Sequence, residues 1–121
     1  MKKVDVLIIG GGASGLSAAI SSRSNYPEKS VAVVRKEKQV LVPCGIPYIF
    51  GSLYSSDRNI MPDKGMLDLG VEIIIDEVDI VDIEGHTADL VSGMKIEFEN
   101  VVFATGSIPT KPKWLKGADL E

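Results

Sequence analysis

The chain has 121 residues, 45% hydrophobic and 25% charged, the range of a globular domain built on one core. Its formal charge of −4 excludes the basic footprint of a nucleic-acid or anionic-membrane binder, and no apolar run is long enough to span a bilayer. One cysteine leaves no internal disulfide, so a reducing cytoplasm is the expected compartment.

Val4 to Ile9, VDVLII, is almost wholly apolar and predicts a strand buried on both faces. GGGASG follows, then LSAAISSRS, with Leu16, Ala19, Ile20 and Arg23 at helical spacing. SVAVVRKE predicts a second buried strand ending near Arg35, and a strand, helix and strand in so short a span make a right-handed crossover with parallel strands. Residues 45–70 are rich in glycine, proline and polar side chains, with a helical turn or two expected around Ile46 to Leu53.

From Val71 the pattern changes. VEIII, VDIVDIE, HTADLV and MKIEFE are short strand-like runs separated by turn signals at Glu84-Gly85 and Ser92-Gly93. In the last run Met94, Ile96 and Phe98 alternate with Lys95, Glu97 and Glu99, as in a sheet with one wet face. These runs predict a small antiparallel meander beside the parallel sheet. NVVFATG then returns as a buried strand, and SIPTKPKWLKGADLE reads as a linker. The expected organisation is an α/β domain over 1–108 and a linker over 109–121.

Gly10, Gly12 and Gly15 form G-x-G-x-x-G between a buried strand and a helix, the context in which the motif binds a dinucleotide. The first glycine permits the tight turn, the second lets backbone approach a pyrophosphate, and the third lets helix pack on strand. The helix N-terminus offers N–H groups and partial positive charge to the phosphates. An acid that holds the ribose hydroxyls is expected about 20 residues on. That count reaches Arg35, with Glu37 just beyond. Three readings stay open: arginine favours a 2′-phosphate, Glu37 serves as the acid, or ribose binding is weakened.

DVLIIGGGASGLSAA, PCGIPY and VVFATGSIP occur in an order that resembles flavin-dependent pyridine nucleotide-disulfide oxidoreductases. CGIPY, at Cys44 to Tyr48, resembles the single-cysteine branch, which includes coenzyme A-disulfide reductases, NADH oxidases and persulfide reductases. The resemblance implies a three-layer FAD/NAD(P)-binding Rossmann-like domain with a parallel sheet and a β-meander. It implies that Gly10, Gly12, Ala13, Ser14 and Gly15 cradle the pyrophosphate of FAD. Arg35, Lys36, Pro43, Ala104, Thr105 and Gly106 would complete the cofactor site. Cys44 would be the redox-active catalytic thiol, with Arg23 and Tyr48 toward the substrate, and NAD(P)H would be the reductant of the longer parent enzyme. The implied partner is a small-molecule disulfide, persulfide, peroxide or oxygen, with coenzyme A a candidate, and the guess for assembly is a homodimer.

This sequence departs from the family pattern in three ways. Arginine stands at the Arg35 position in place of an acid. VLVPC replaces a more polar run before the cysteine. The NADH domain, the later flavin segment and the dimerisation domain are expected to lie in a parent of which this chain is the first part. A reading from a different class is a nucleotide-binding module without turnover.

Pro43 and Pro47 around Cys44-Gly45 fit a thiol held at contact distance from a ring, since proline fixes φ and glycine permits close approach. A free cysteine with no such setting is more often a small buried hydrophobe. His86, the only histidine, reads as a solvated turn residue, and one histidine with one cysteine makes no metal ligand set. Trp114 reads as a packing residue of the linker.

Overall fold

The computed structural model describes residues 1–117. Its elements in order are β1 (Lys2–Ile9), α1 (Ala13–Asn25), β2 (Val31–Arg35), 3-10 helices at Pro43–Ile49 and Ser56–Asn59, α2 (Lys64–Asp68), β3 (Glu72–Ile75), β4 (Val78–Asp82), β5 (Thr87–Leu90) and β6 (Lys95–Phe103). They build one six-stranded sheet in the order β3-β2-β1-β6-β5-β4. The half from β3 to β6 is parallel, as the β1–β2 register (Val6 opposite Val31, Ile9 opposite Val34) and the β2–β3 register (Ala32 opposite Glu72) show. The β4-β5-β6 wing is antiparallel.

Alternation along β1 and β2 divides the core in two. Ile8, Val31 and Val33 face α1 and α2, where they pack with Ala19, Met66 and Val71. Leu7, Ile9, Ala32 and Val34 face the other way and pack with Ala88, Leu90, Ile96 and Phe98, with Val78 and Val81 laid against them. The antiparallel wing therefore covers the face opposite the helices, which gives the expected three layers. Gly15 and Ala19 are the buried residues of α1, and small side chains at those positions let the helix sit close on the sheet.

Two expectations are corrected. VEIII does not belong to the meander: as β3 it pairs in parallel with β2, because α2 and the residues before it carry the chain across to the outer edge of β2 and bury Met66 and Val71 on the way. MKIEFE and NVVFATG are one strand, β6. Glu99 and Asn100 read as a break because both are exposed, yet β1 runs beside the whole length and holds the register from Lys2 opposite Ile96 to Ile9 opposite Phe103. The helical turns expected around Ile46 to Leu53 are present as the first 3-10 helix and the turn after it. Of the linker expected over 109–121, the residues to Gly117 carry no helix or strand, and 118–121 lie outside the described residues.

Candidate functional site

The C-terminal ends of β1, β2 and β6 open onto a cleft of about 1120 Å³ lined by the glycine loop from Gly10 to Ser14, by Val34 to Glu37, by Gln39 to Leu41 with Pro43, by Asp76 to Val78 and by Ala104 to Ile108. Ligands of open α/β sheets bind outside such strand ends. The three motif glycines have different physical requirements. Gly10 has φ 111°, and a Cβ there would run into the carbonyl of Ala104 on the neighbouring strand end. At Gly15 a Cβ would strike the carbonyl of Gly10, so the glycine sets how closely α1 approaches the loop. Gly12 has ordinary φ (−76°) and nothing within 4 Å of where a Cβ would stand. Its freedom from the fold's own packing leaves the backbone open to a ligand.

Gly12 is the N-cap of α1 and no side chain caps the helix; the first helical bond runs from the Leu16 N–H to the Gly12 carbonyl at 2.9 Å. The N–H groups of Ala13, Ser14 and Gly15 therefore have no partner within the helix. Of these residues Ala13 and Ser14 line the cleft, where an anion would meet both the N–H groups and the positive end of the helix dipole. The loop, the helix end and the segment Ala104-Thr105-Gly106 that follows β6 fit a dinucleotide pyrophosphate.

Arg35 ends β2 with its side chain buried, and the guanidinium is committed inside the protein. Nη1 and Nη2 donate to the two carboxylate oxygens of Asp63 at 2.7 Å each, Nε donates to the Glu37 carbonyl at 2.9 Å, and Nη2 donates to the Lys38 carbonyl at 2.8 Å. This pairing holds the Asp63 carboxyl below the usual carboxylate range. The stem of Arg35 fills the space where a side chain on Gly11 would stand, so the arginine also supports the glycine loop from beneath. Lys36, its neighbour, is exposed and paired with Glu77 at 2.9 Å.

Pro43 lines the cleft and opens the 3-10 helix that carries Cys44. Cys44 is exposed and is not among the residues of the cleft wall. Its segment is fixed from behind by Asn59, which is buried: the Asn59 carbonyl accepts from the Val42 N–H at 2.9 Å, and its side-chain amide donates to the Val42 carbonyl at 3.0 Å. A Cβ on Gly45 would collide with the Asn59 Oδ1, and the Gly45 N–H returns to the Val42 carbonyl at 2.9 Å. Glycine after the cysteine is thus required by a packed amide.

Of the expected site residues, Gly15, Arg23, Cys44 and Tyr48 are not among those lining the cleft; Gly15 packs against Gly10 of the loop, and Arg23 and Tyr48 stand apart from it. Arg23 lies in the last turn of α1, about 15 Å along the helix from its first residue at the glycine loop. It donates to the carbonyls of Leu69, Pro27 and Lys29 at 2.7, 2.9 and 2.6 Å, which ties the end of α1 to the turn before β3. Tyr48 is exposed on the outer side of the 3-10 helix, near the exposed Phe50 and Tyr54 in sequence. Sequence reasoning passed over Asn59 and Asp63. Both fall in a stretch read only as polar, and the sole available signal was that a buried arginine needs an acid.

A family model described as pyridine nucleotide-disulphide oxidoreductase matches residues 4–121. The chain belongs to this family. Its members are oxidoreductases that work with FAD and NAD(P)H. The NAD(P)H coenzyme A polysulfide/persulfide reductase of Pyrococcus horikoshii is 34% identical over 130 residues, covering 100% of this chain and 28% of that protein. The NADH oxidase of Methanocaldococcus jannaschii is 29% identical over 125 residues, covering 95% of this chain and 28% of that protein. Among solved structures, the NAD-dependent persulfide reductase from A. fulgidus superposes with a TM-score of 0.80 at 30% identity, over 97% of this chain and 24% of that one. The chain thus spans 28% of the length of these curated relatives.

Proposed function

We propose that the chain is the FAD-binding portion of an NAD(P)H-dependent flavoprotein that reduces a sulfur–sulfur bond through Cys44. The observation that carries the reading is the convergence of the glycine loop, the uncapped N-terminus of α1 and Pro43, next to Cys44, on one cleft. Gly12, Ala13 and Ser14 bind the pyrophosphate, Ala104 to Gly106 extend the wall beside the loop, and the 3-10 helix orients Cys44. FAD, when bound, supplies the two-electron relay between NAD(P)H and sulfur. The Cys44 thiolate attacks one sulfur of a substrate disulfide, forms a mixed disulfide and releases the other sulfur as a thiolate, which takes its proton from solvent. An exposed thiol on a braced turn suits that attack.

A persulfide is the sulfur–sulfur substrate favoured by the relatives at 30% identity and above; peroxide and oxygen are the competing acceptors. The reading includes a reducing cytoplasm, in keeping with a lone thiol and with the absence among described residues of a helix able to cross a membrane. It also includes a homodimer, for which the exposed Tyr48, Phe50 and Tyr54 are the surface in favour.

Titration of the chain with FAD, followed by flavin fluorescence, tests the cofactor. Saturable binding that Gly12→Glu abolishes is expected; no binding by this chain or by a polypeptide of the relatives' full length overturns it. In that longer polypeptide, Cys44→Ser is expected to abolish NAD(P)H-dependent disulfide reduction, and an unchanged rate overturns the role of the thiol.

A further inference from the structure

Residues 43–58, which carry Cys44, form an arm that the core does not hold. None of them is buried and none belongs to either core cluster. Among the described residues none of them enters an ion pair. The arm leaves the fold through a neck of two short antiparallel segments. The Val42 N–H donates to the Asn59 carbonyl at 2.9 Å and the Met61 N–H donates to the Val40 carbonyl at 2.6 Å, with Leu41 bridged to Ile60 between them. Where the thiol stands therefore depends on where this neck is rooted.

Both roots end on one side chain. Just before the neck begins at Val40, the Lys38 carbonyl accepts from Arg35 Nη2 at 2.8 Å. Just after it ends at Met61, the Asp63 carboxylate accepts from Arg35 Nη1 and Nη2 at 2.7 Å each. Arg35 Nε donates to the Glu37 carbonyl at 2.9 Å, which fixes the turn between β2 and the first root. The arginine is itself anchored: its backbone lies opposite Ile75 in the β2–β3 ladder, and its side chain is 2% exposed. Its stem occupies the space where a side chain on Gly11 would stand. One residue thus joins the glycine loop to both segments of the neck. A planar fork serves a carboxylate and two carbonyls at once, which an ammonium on a flexible stem does not.

On the reading that Cys44 is the reacting thiol, we propose that Arg35 is its positioning residue: it clasps both roots of the arm and fixes where Cys44 stands relative to the glycine loop. The arginine that departs from the expected acid thereby acts on the cysteine, through the neck, and not on the nucleotide. A reacting group misplaced by about 1 Å can lose about a hundredfold in rate, which gives the clasp a purpose beyond stability.

The test is a distance measurement. Cys44 is the only cysteine, so Ser21→Cys on the exposed side of α1 gives a chain with two thiols for nitroxide labels. Pulsed electron paramagnetic resonance should find one narrow distance distribution between them. In that background Arg35→Lys and Asp63→Asn are expected to broaden or split it. Gly11→Ala should do the same from the other side, since its Cβ presses on the Arg35 stem. Ile96→Val thins the core away from the arm and lowers the melting temperature, and should leave the distribution unchanged. If Arg35→Lys does not fold, Asp63→Asn and Gly11→Ala carry the test. In the polypeptide of the relatives' full length, Asp63→Asn is expected to lower kcat for disulfide reduction about tenfold or more with KM unchanged. A distribution as narrow in Asp63→Asn and Gly11→Ala as in the parent, equal broadening by Ile96→Val, or an unchanged kcat overturns the proposal. An unchanged rate in Cys44→Ser overturns the reading of the thiol instead, and the distance distributions still decide whether Arg35 holds the arm.

Discussion

Arg35 on β2 and Asp63 just before α2 form a two-pronged ion pair, 2.7 Å on each prong, in which the guanidinium is 2% exposed and the carboxylate 31%. The pair joins the strand end that shapes the cleft to the segment that braces the cysteine. Removing Asp63 leaves a buried cation without its partner, the costly way to break such a pair. Asp63→Ala is expected to destabilise the chain by about 3 kcal/mol, the low end of that range because Asp63 keeps part of its surface in water. The melting temperature, followed by circular dichroism, should fall by about 10 °C. An unchanged melting temperature would sink the assignment.

The same pair sets an acid limit. The Asp63 carboxyl is held below its ordinary value of 3.8, chiefly by the Arg35 hydrogen bonds, against the opposing effect of burial. A carboxyl whose folded pKa is lowered contributes stability that is fully present above its unfolded pKa and is lost as pH falls through the folded value. The stability gap between wild type and Asp63→Asn should therefore be constant from about pH 5 to 8 and close below about pH 4. Asp5 and Asp76 are lowered as well, by Ser30 and by Ser92 with Glu77, but both variants retain them, so the difference isolates Asp63. A gap that does not narrow at all as pH falls below about 4 would refute the linkage.

The glycines of the loop should separate folding from binding. Gly10→Ala forces a side chain into φ 111° and against the Ala104 carbonyl, and is expected to cost about 3 kcal/mol or more in denaturant unfolding. Gly12→Ala meets no atom within 4 Å and an unstrained φ, so its unfolding midpoint should stay near wild type. Its FAD affinity should nevertheless drop at least about tenfold, because the added methyl stands where phosphate approaches. Equal effects of the two changes on stability would show that the loop is not divided in this way.

What was legible in the sequence follows the range of the interactions involved. β1, α1 and β2 could be read because their burial is written in consecutive residues, and the glycine loop because three positions within six carry its geometry. The place of β3 could not, since its parallel partner β2 lies about 40 residues upstream and nothing in VEIII distinguishes a parallel edge from a meander. Arg35 was visible as a departure, but its orientation was not: only Asp63, 28 residues later, turns it inward. The brace behind Cys44 was hidden for the same reason, because Asn59 acts through main-chain bonds to Val42 that no side-chain pattern announces.

That brace gives a prediction on the cysteine segment alone. Gly45→Ala should be harmful because its Cβ collides with the Asn59 Oδ1, a buried amide held on the Val42 carbonyl. Asn59→Ala should be harmful for a different reason, the loss of that hydrogen bond, at about 1–2 kcal/mol. In the double variant the collision is gone, so the two costs should not add, and a coupling of about 1–2 kcal/mol is expected in the stabilising direction. Chymotrypsin cleavage after the exposed Tyr48 and Phe50 provides a local readout, because it reports opening of this segment. Cleavage should accelerate at least about tenfold in Gly45→Ala and return toward the Asn59→Ala rate in the double variant. Additive costs, or a Gly45→Ala chain that cleaves like wild type, would mean that the glycine after the cysteine is set by something other than Asn59.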